Sequence, residues 1–422
     1  MPHLPFREVL KLIGIALSAI LVAGFMVGVG IYLSERVNTD IAQDRIAPFY
    51  EPPPLNGALA GDLLNFEQLP IAVSGGTAYR ILYVTATTDD ELAAASGTAF
   101  IPDAPAATSG RPTLAWAHGT VGQGDGCAPS RSADPTSQLV TFLPQMLDLG
   151  WAVVATDYYG LGTPGIERYL VGEQEARDVV NSVRAVAQLP GADTSKSWGV
   201  YGHSQGGHSA IWTGQLAAEL APELNLVGVA AAAPAAELTR ILDAQWSGLI
   251  GWVIGAEVLR SWPLEYPELP VDSILTSEAQ NSYESLAEDC VKNAALEATV
   301  RQNIYGQNFF EKNPLTVPEW LAAMEAQTPA PLPADLPFFL AQGTADEVVL
   351  PEPNAYLEEK WCAAGSTLTS LWMGGVGHMT AGLDAGPSVV RWMWERFEGL
   401  PASSTCDFPP PVATEVPSGA AS

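Results

Sequence analysis

Tyr201-Gly202-His203-Ser204-Gln205-Gly206-Gly207 sets one serine between glycines. Residues 197–200 before it read as a strand, and residues 209–220 after it read as a helix. A serine on such a strand-to-helix turn is a nucleophile elbow. Side chains two residues to either side would collide on so tight a turn, so Gly202 and Gly206 leave those positions empty. The same turn aims the backbone N–H of Gln205 at the charge that develops when Ser204 attacks a carbonyl. A Gly-x-Ser-x-Gly run can also do no more than start a helix with serine. The flanking strand and helix favour the catalytic reading.

Outward from the elbow, short apolar runs alternate with helical stretches. Candidate strands are residues 79–85, 97–101, 113–117, 151–156, 198–203, 226–231, 337–341 and 368–373. Candidate helices are residues 137–149, 172–189, 209–220, 355–363 and 388–397. This alternation predicts a mostly parallel, eight-stranded, doubly wound α/β sheet flanked by helices and joined by right-handed crossovers. It breaks between residues 235 and 335, where Trp246, Leu249, Ile250, Trp252, Val253 and Ile254 crowd together. That interval reads as an inserted helical subdomain. Its apolar density could line an acyl-binding cavity, form a lid, or simply pack onto the sheet. The core is therefore expected in 66–234 and 335–405 and the insertion in 235–334. A Pro-rich linker is expected over 38–65 and a disordered tail over 406–422.

A serine nucleophile needs a base, nearly always histidine, itself oriented by a carboxylate. The chain has five histidines. His3 precedes an apolar N-terminal segment, His118 precedes the serine, and His203 and His208 belong to the elbow itself. His378 remains, expected on a flexible loop after the last strand. The acid should follow the penultimate strand, which points to Asp346, with Glu347 as the local rival and Asp384 a remoter one. The second oxyanion donor should come from the loop after the third strand, where Trp116-Ala117-His118-Gly119-Thr120 stands. The N–H of Thr120 would then pair with that of Gln205.

The chain carries 47 acidic and 19 basic residues, a formal net charge of -28 over 422 residues. Such a surface repels phosphate backbones and argues against nucleic acid as a partner. Residues 12–33 are apolar and uncharged, long enough to span a bilayer, with Arg7 and Lys11 ahead of them. Residues 1–37 are thus expected to be a membrane segment. It is either an uncleaved signal-anchor, which the absence of a clean Ala-x-Ala site favours, or a signal peptide. Cys127, Cys290, Cys362 and Cys406 fit an oxidising compartment and allow three pairings. With no CxxC or His/Cys cluster, neither a metal nor a cofactor is expected.

Several motifs together resemble the secretory lipase family of α/β-hydrolases, from about residue 65 to 401. They are Ala115-Trp116-Ala117-His118-Gly119-Thr120, Cys127-Ala128-Pro129-Ser130, Asp157-Tyr158-Tyr159-Gly160-Leu161-Gly162 and the run 201–208. The resemblance implies an exported lipase or carboxylesterase with a helical cap after the nucleophile unit, and it supports Ser204, Asp346 and His378 in their roles. It also implies the pairings Cys127 with Cys290 and Cys362 with Cys406. Many yeast members carry tyrosine before the nucleophile, where this chain has His203, and their loop at His118 differs. The reaction expected is hydrolysis of acyl-lipid esters, triacylglycerol included, through an acyl-enzyme on Ser204. The alternatives are acyl transfer or short-chain ester hydrolysis on the same triad. An amidase, or a silent binding module on the same fold, is a further possibility, the latter disfavoured by a complete triad.

Overall fold

Runs such as Ala152–Tyr159 and Asn225–Ala232 are dominated by small and β-branched side chains and are buried over most of their length. That is what strands covered on both faces require. A computed structural model of the chain describes residues 42–306 and 308–415. It contains β1 (Leu63–Gln68), β2 (Gly76–Ala86), β3 (Leu92–Pro102), β4 (Arg111–Ala117), β5 (Ala152–Tyr159), β6 (Thr194–His203), β7 (Asn225–Ala232), β8 (Phe338–Gly343) and β9 (Leu368–Met373). These pair in one sheet of order β1-β2-β3-β5-β4-β6-β7-β8-β9. The pairings from β1 through β3 to β5 are antiparallel, and those from β5 through β4 and β6 to β9 are parallel.

The sheet thus has nine strands rather than eight. The extra strand, β1, begins inside the stretch 38–65 expected to be linker. Its sequence, LLNFEQ, is exposed at four of six positions, because an edge strand buries little and carries no apolar run.

Two apolar layers sandwich the sheet. On one side Val179, Val183, Ala210, Ile211, Leu357 and Trp361 pack against strand residues such as Val154 and Val200. They come from helices Gly172–Val186, Gln205–Leu220 and Pro351–Ala363. On the other side Leu143, Met146, Val389 and Met393 cover Phe100, Trp116 and Tyr201. Helices Leu143–Asp148 and His378–Phe397 supply them.

Between β7 and β8 the described residues form helices Leu238–Gln245, Leu249–Ser261, Ser277–Glu288, Val291–Tyr305 and Pro318–Ala326. This insertion has a core of its own, with Trp252 against Phe309 and Trp262 stacked on Trp320. Tyr169, Leu170 and Val171, from the loop after β5, belong to that same cluster.

The cysteines join as Cys127–Cys290 and Cys362–Cys406. The first ties the loop after β4 to the insertion. The second holds the start of the tail, where Thr405 donates its N–H to Leu368 O at 2.8 Å. The expectation of a disordered tail from 406 therefore fails at its beginning, while residues 416–422 lie outside the described residues. The membrane segment expected over 1–37 lies outside them too. Among the described residues no helix is long and apolar enough to cross a membrane. The chain divides into one unit ending at Phe49 and another from Tyr50 onward. In the first, residues 42–46 are helical and run into a 3-10 turn.

Candidate active site

Ser204 sits between the end of β6 and the helix Gln205–Leu220 with φ 59° and ψ -119°. A non-glycine residue at positive φ is strained and is held only when its surroundings leave no alternative. Gly202 and Gly206 supply that constraint. A Cβ on Gly202 would lie 1.9 Å from Gly206 O, and one on Gly206 would lie 1.9 Å from Ala117 O. Gly119 is equally close to the nucleophile, since a Cβ there would meet Ser204 Cβ at 3.2 Å. The loop after β4 therefore lies directly against the elbow.

The three residues expected to act together are brought together from three separate stretches of chain. His378 Nε2 lies 2.9 Å from Ser204 Oγ, and His378 Nδ1 lies 2.8 Å from Asp346 Oδ2. All three are buried. A carboxylate has no proton to give, so Nδ1 carries the hydrogen and Nε2 is left to accept from the serine hydroxyl. The other carboxylate oxygen, Asp346 Oδ1, accepts the N–H groups of Val348 and Val349, each at 2.9 Å. Glu347 and Asp384 are exposed, and neither hydrogen-bonds the imidazole. An alcohol, an imidazole and a carboxylate so arranged can pass the alcohol's proton to the ring and hold the resulting cation.

One expectation needs correction. His378 is not on a flexible loop but is the first residue of helix His378–Phe397. Gly382, Gly386 and Pro387 interrupt the helical pattern in sequence, which hid the first half of the helix, residues 378–387. The glycines are steric: a Cβ at 382 would meet the His203 ring at 3.0 Å, and one at 386 would meet Phe142 at 2.1 Å.

Thr120 follows Gly119, and Gln205 opens the elbow helix. Neither backbone N–H has a protein acceptor among the described residues. His118 is spent elsewhere, with Nδ1 2.7 Å from Gly119 O and Nε2 3.2 Å from Asp157 O. His208 pairs through Nδ1 with Glu175 at 2.7 Å and does not face Ser204. His3 lies outside the described residues. Among the described residues no three His, Cys, Asp or Glu side chains converge as metal ligands.

Sequence reasoning missed two sets of neighbours. The His203 ring lies against that of His378, centroids 4.8 Å apart and tilted by 40°, with Nε2 3.0 Å from the His378 carbonyl. Burial, and then the neighbouring His378, push its pKa down to about 3, so it stays neutral. The second set is a group of buried carboxyls behind Gln205. Burial raises Glu167 to about 8 and Asp178 to about 7, and it also raises Glu257 well above the ordinary carboxyl range. They come from separate stretches of chain, and no sequence pattern links them.

These carboxyls make stability depend on pH. A carboxyl raised in the folded state stabilises fully below its unfolded pKa and loses that contribution as pH climbs through the folded value. His203, depressed on folding, works the other way, but it is neutral in both states above its ordinary value near 6.5. The net direction is therefore clean from about pH 6.5 to about 8, where Glu167 and Asp178 set it. Urea midpoints measured across that window should fall as pH rises. A rising midpoint would contradict the burial of these acids as neutral groups.

Between the insertion and Leu170 of the loop after β5 lies an apolar cavity of about 70 Å³, lined among others by Leu238, Ile254, Trp262, Trp320 and Met324. It contains no side chain of the Ser204, His378, Asp346 line.

The model of the family described as secretory lipase matches residues 133–405. Lipase 5 of Candida albicans is 26% identical over 307 residues, covering 66% of this chain and 64% of that protein. The chain thus spans under two thirds of the length of that relative. Lipase A of Moesziomyces aphidis is 21% identical over 392 residues, covering 86% and 82% respectively. Among solved structures, Candida antarctica lipase A in its closed state superposes with a TM-score of 0.68 at 20% identity, over 87% of this chain and 90% of that one. The rice cell wall degrading esterase LipA from Xanthomonas oryzae gives 0.66 at 18% identity, over 82% of this chain and 100% of that one. The fold is that of the α/β-hydrolases.

Proposed function

The chain belongs to the secretory lipase family, and from that premise we propose that it is an exported carboxylic ester hydrolase acting on acyl lipids. His378 takes the Ser204 proton while the hydroxyl oxygen attacks the ester carbonyl. The oxyanion rests on the N–H groups of Thr120 and Gln205, and the alcohol leaves with the proton from His378. Water, activated by the same imidazole, then releases the fatty acid and restores the serine. Asp346 keeps the imidazole in the tautomer this requires and stabilises its cation. The observation that carries the reading is the unbroken chain of hydrogen bonds from Ser204 Oγ through His378 to Asp346.

Acyl preference rests on the insertion, which we read as a cap. Its apolar cavity offers surface for a hydrocarbon chain and almost none for a polar one. Two disulfides and the family suit export, with residues 1–37 as the signal-anchor or signal peptide.

The test is covalent capture together with turnover. A fluorophosphonate probe should modify the peptide carrying Ser204 and no other. p-Nitrophenyl esters of graded length and emulsified triglyceride should be hydrolysed, with longer acyl chains favoured. A protein that neither takes the probe nor cleaves any of these esters would refute the assignment.

A further inference from the structure

Both proposed oxyanion donors are gripped from one direction. Gln205 Nε2 gives its two hydrogens to Glu167 Oε1 at 2.8 Å and Glu175 Oε1 at 3.1 Å. The Thr120 hydroxyl pairs with Tyr169 Oη at 2.7 Å. Glu167 and Tyr169 lie two residues apart on the loop between β5 and the helix Gly172–Val186, and both are buried. We infer that this loop is a clamp that presets the oxyanion hole, with Glu167 and Tyr169 as positioning residues for Gln205 and Thr120. The inference rests on the ester-hydrolase reading given above.

The clamp is fixed at both ends. At one end the Glu167 backbone packs on Gly160, whose φ of +78° suits glycine and where a Cβ would lie 2.5 Å from Glu167 N. At the other end the Tyr169 carbonyl accepts from Trp262 Nε1 at 3.0 Å and from Ser261 Oγ at 3.4 Å, both in the insertion. Glu175 is steadied by the Leu170 N–H at 3.2 Å and by His208 Nδ1. His208 Nε2 in turn lies 2.8 Å from Gln327 O. Gln205 and Thr120 need such support. One opens a helix, where the first N–H groups have no partner within it. The other stands in irregular backbone after a glycine. Donors that are already aimed cost no reorganisation when charge develops, and aim is what the clamp supplies.

The chemistry of Glu167 gives this arrangement a signature. Around it are Gln205 of the elbow helix, Glu175 and Asp178 of the helix Gly172–Val186, Glu257 and Arg260 of the helix Leu249–Ser261, Tyr158 of β5 and Tyr169 of its own loop, with His208 behind Glu175. Burial first, and then Glu175 and Asp178, raise its pKa to about 8. At neutral pH it is a neutral acid bonded to Gln205. Above about pH 8 it becomes an anion beside the site where the substrate's own negative charge forms, and turnover should fall.

The experiment measures kcat and KM for p-nitrophenyl butyrate from pH 6 to 9.5 in the full chain, with thermal melts to confirm folding. Glu167→Ala and Tyr169→Phe should each lower kcat about 10- to 100-fold, less than loss of a donor itself, with KM within about threefold. Glu167→Gln, which still accepts from Gln205, should recover most of that kcat and lack the fall near pH 8. Folded Glu167→Ala and Tyr169→Phe proteins with kcat within twofold of the parent would overturn the inference. So would an alkaline fall that persists in Glu167→Gln. Turnover surviving in Ser204→Ala would instead bring down the hydrolase reading, and this inference with it.

Discussion

Replacing Ser204 by alanine is expected to lower kcat for a p-nitrophenyl ester about a millionfold, the scale on which serine triads fail when the nucleophile is lost. The geometry explains why nothing nearby can substitute. The imidazole at 2.9 Å points at Ser204 Oγ alone, and the other ring nitrogen is committed to Asp346. His203, though packed against the same ring, is held neutral and turned toward a backbone carbonyl. In the proposed mechanism the serine and histidine act as one unit, so Ser204→Ala/His378→Ala should be no worse than Ser204→Ala alone. KM should change little, because the Oγ contributes to the transition state far more than to binding. A single variant within tenfold of the parent, or a double variant whose losses multiply, would show that hydrolysis proceeds elsewhere.

What the sequence disclosed and what it hid divide along a physical line. The elbow was legible because its constraint is local: Gly202 and Gly206 are needed within two residues of Ser204, and the clashes at 1.9 Å show why. His378 was legible by elimination among five histidines, although its secondary structure was misread. There, glycines required by His203 and Phe142 imitated a loop. The edge strand β1 was lost because a strand facing water has no apolar run to display. The clamp on the oxyanion hole was invisible for another reason. Glu167 and Gln205 are 38 positions apart and Tyr169 and Thr120 are 49 apart. No periodicity links such pairs, and only the folded loop after β5 brings them together.

The same line separates the disulfides from their consequences. Four cysteines allow three pairings, and the chain adopts the two the family resemblance implied. The Cys127–Cys290 bond does not act alone. Gln123 N–H donates to Ala287 O at 2.7 Å and Val291 N–H to Val121 O at 2.8 Å, so backbone pairing reinforces the crosslink. Gly122 and Gly124 allow that approach, since a Cβ at either would lie within 2.3 Å of the insertion's carbonyls. The loop carrying Thr120 is thus held by the insertion on one side and by Tyr169 on the other. Any movement of the insertion must either leave the segment around residue 290 in place or disturb a proposed oxyanion donor.

Asp346→Asn is expected to cost about 10⁴ in kcat while leaving the fold intact, the scale known for a triad whose imidazole is forced into the wrong tautomer. The hydrogen bonds around Asp346 dictate how the amide must sit. Oδ1 receives two backbone N–H groups, from Val348 and Val349, and only an oxygen can accept them. The asparagine oxygen therefore takes that side, and its NH₂ turns toward His378 Nδ1. A donor there obliges Nδ1 to accept, which moves the ring hydrogen to Nε2 and aims it at Ser204 Oγ. The base then has no lone pair for the serine proton. The amide also meets Gln342 Nε2, which lies 3.3 Å from Oδ2 as a donor, so some loss of stability should accompany the kinetic effect. Glu347→Gln and Asp384→Asn change exposed carboxylates with no bond to the imidazole and should stay within about twofold, as surface substitutions do. If Glu347→Gln were the crippled variant and Asp346→Asn the healthy one, the acid would have to be reassigned and the imidazole's orientation with it.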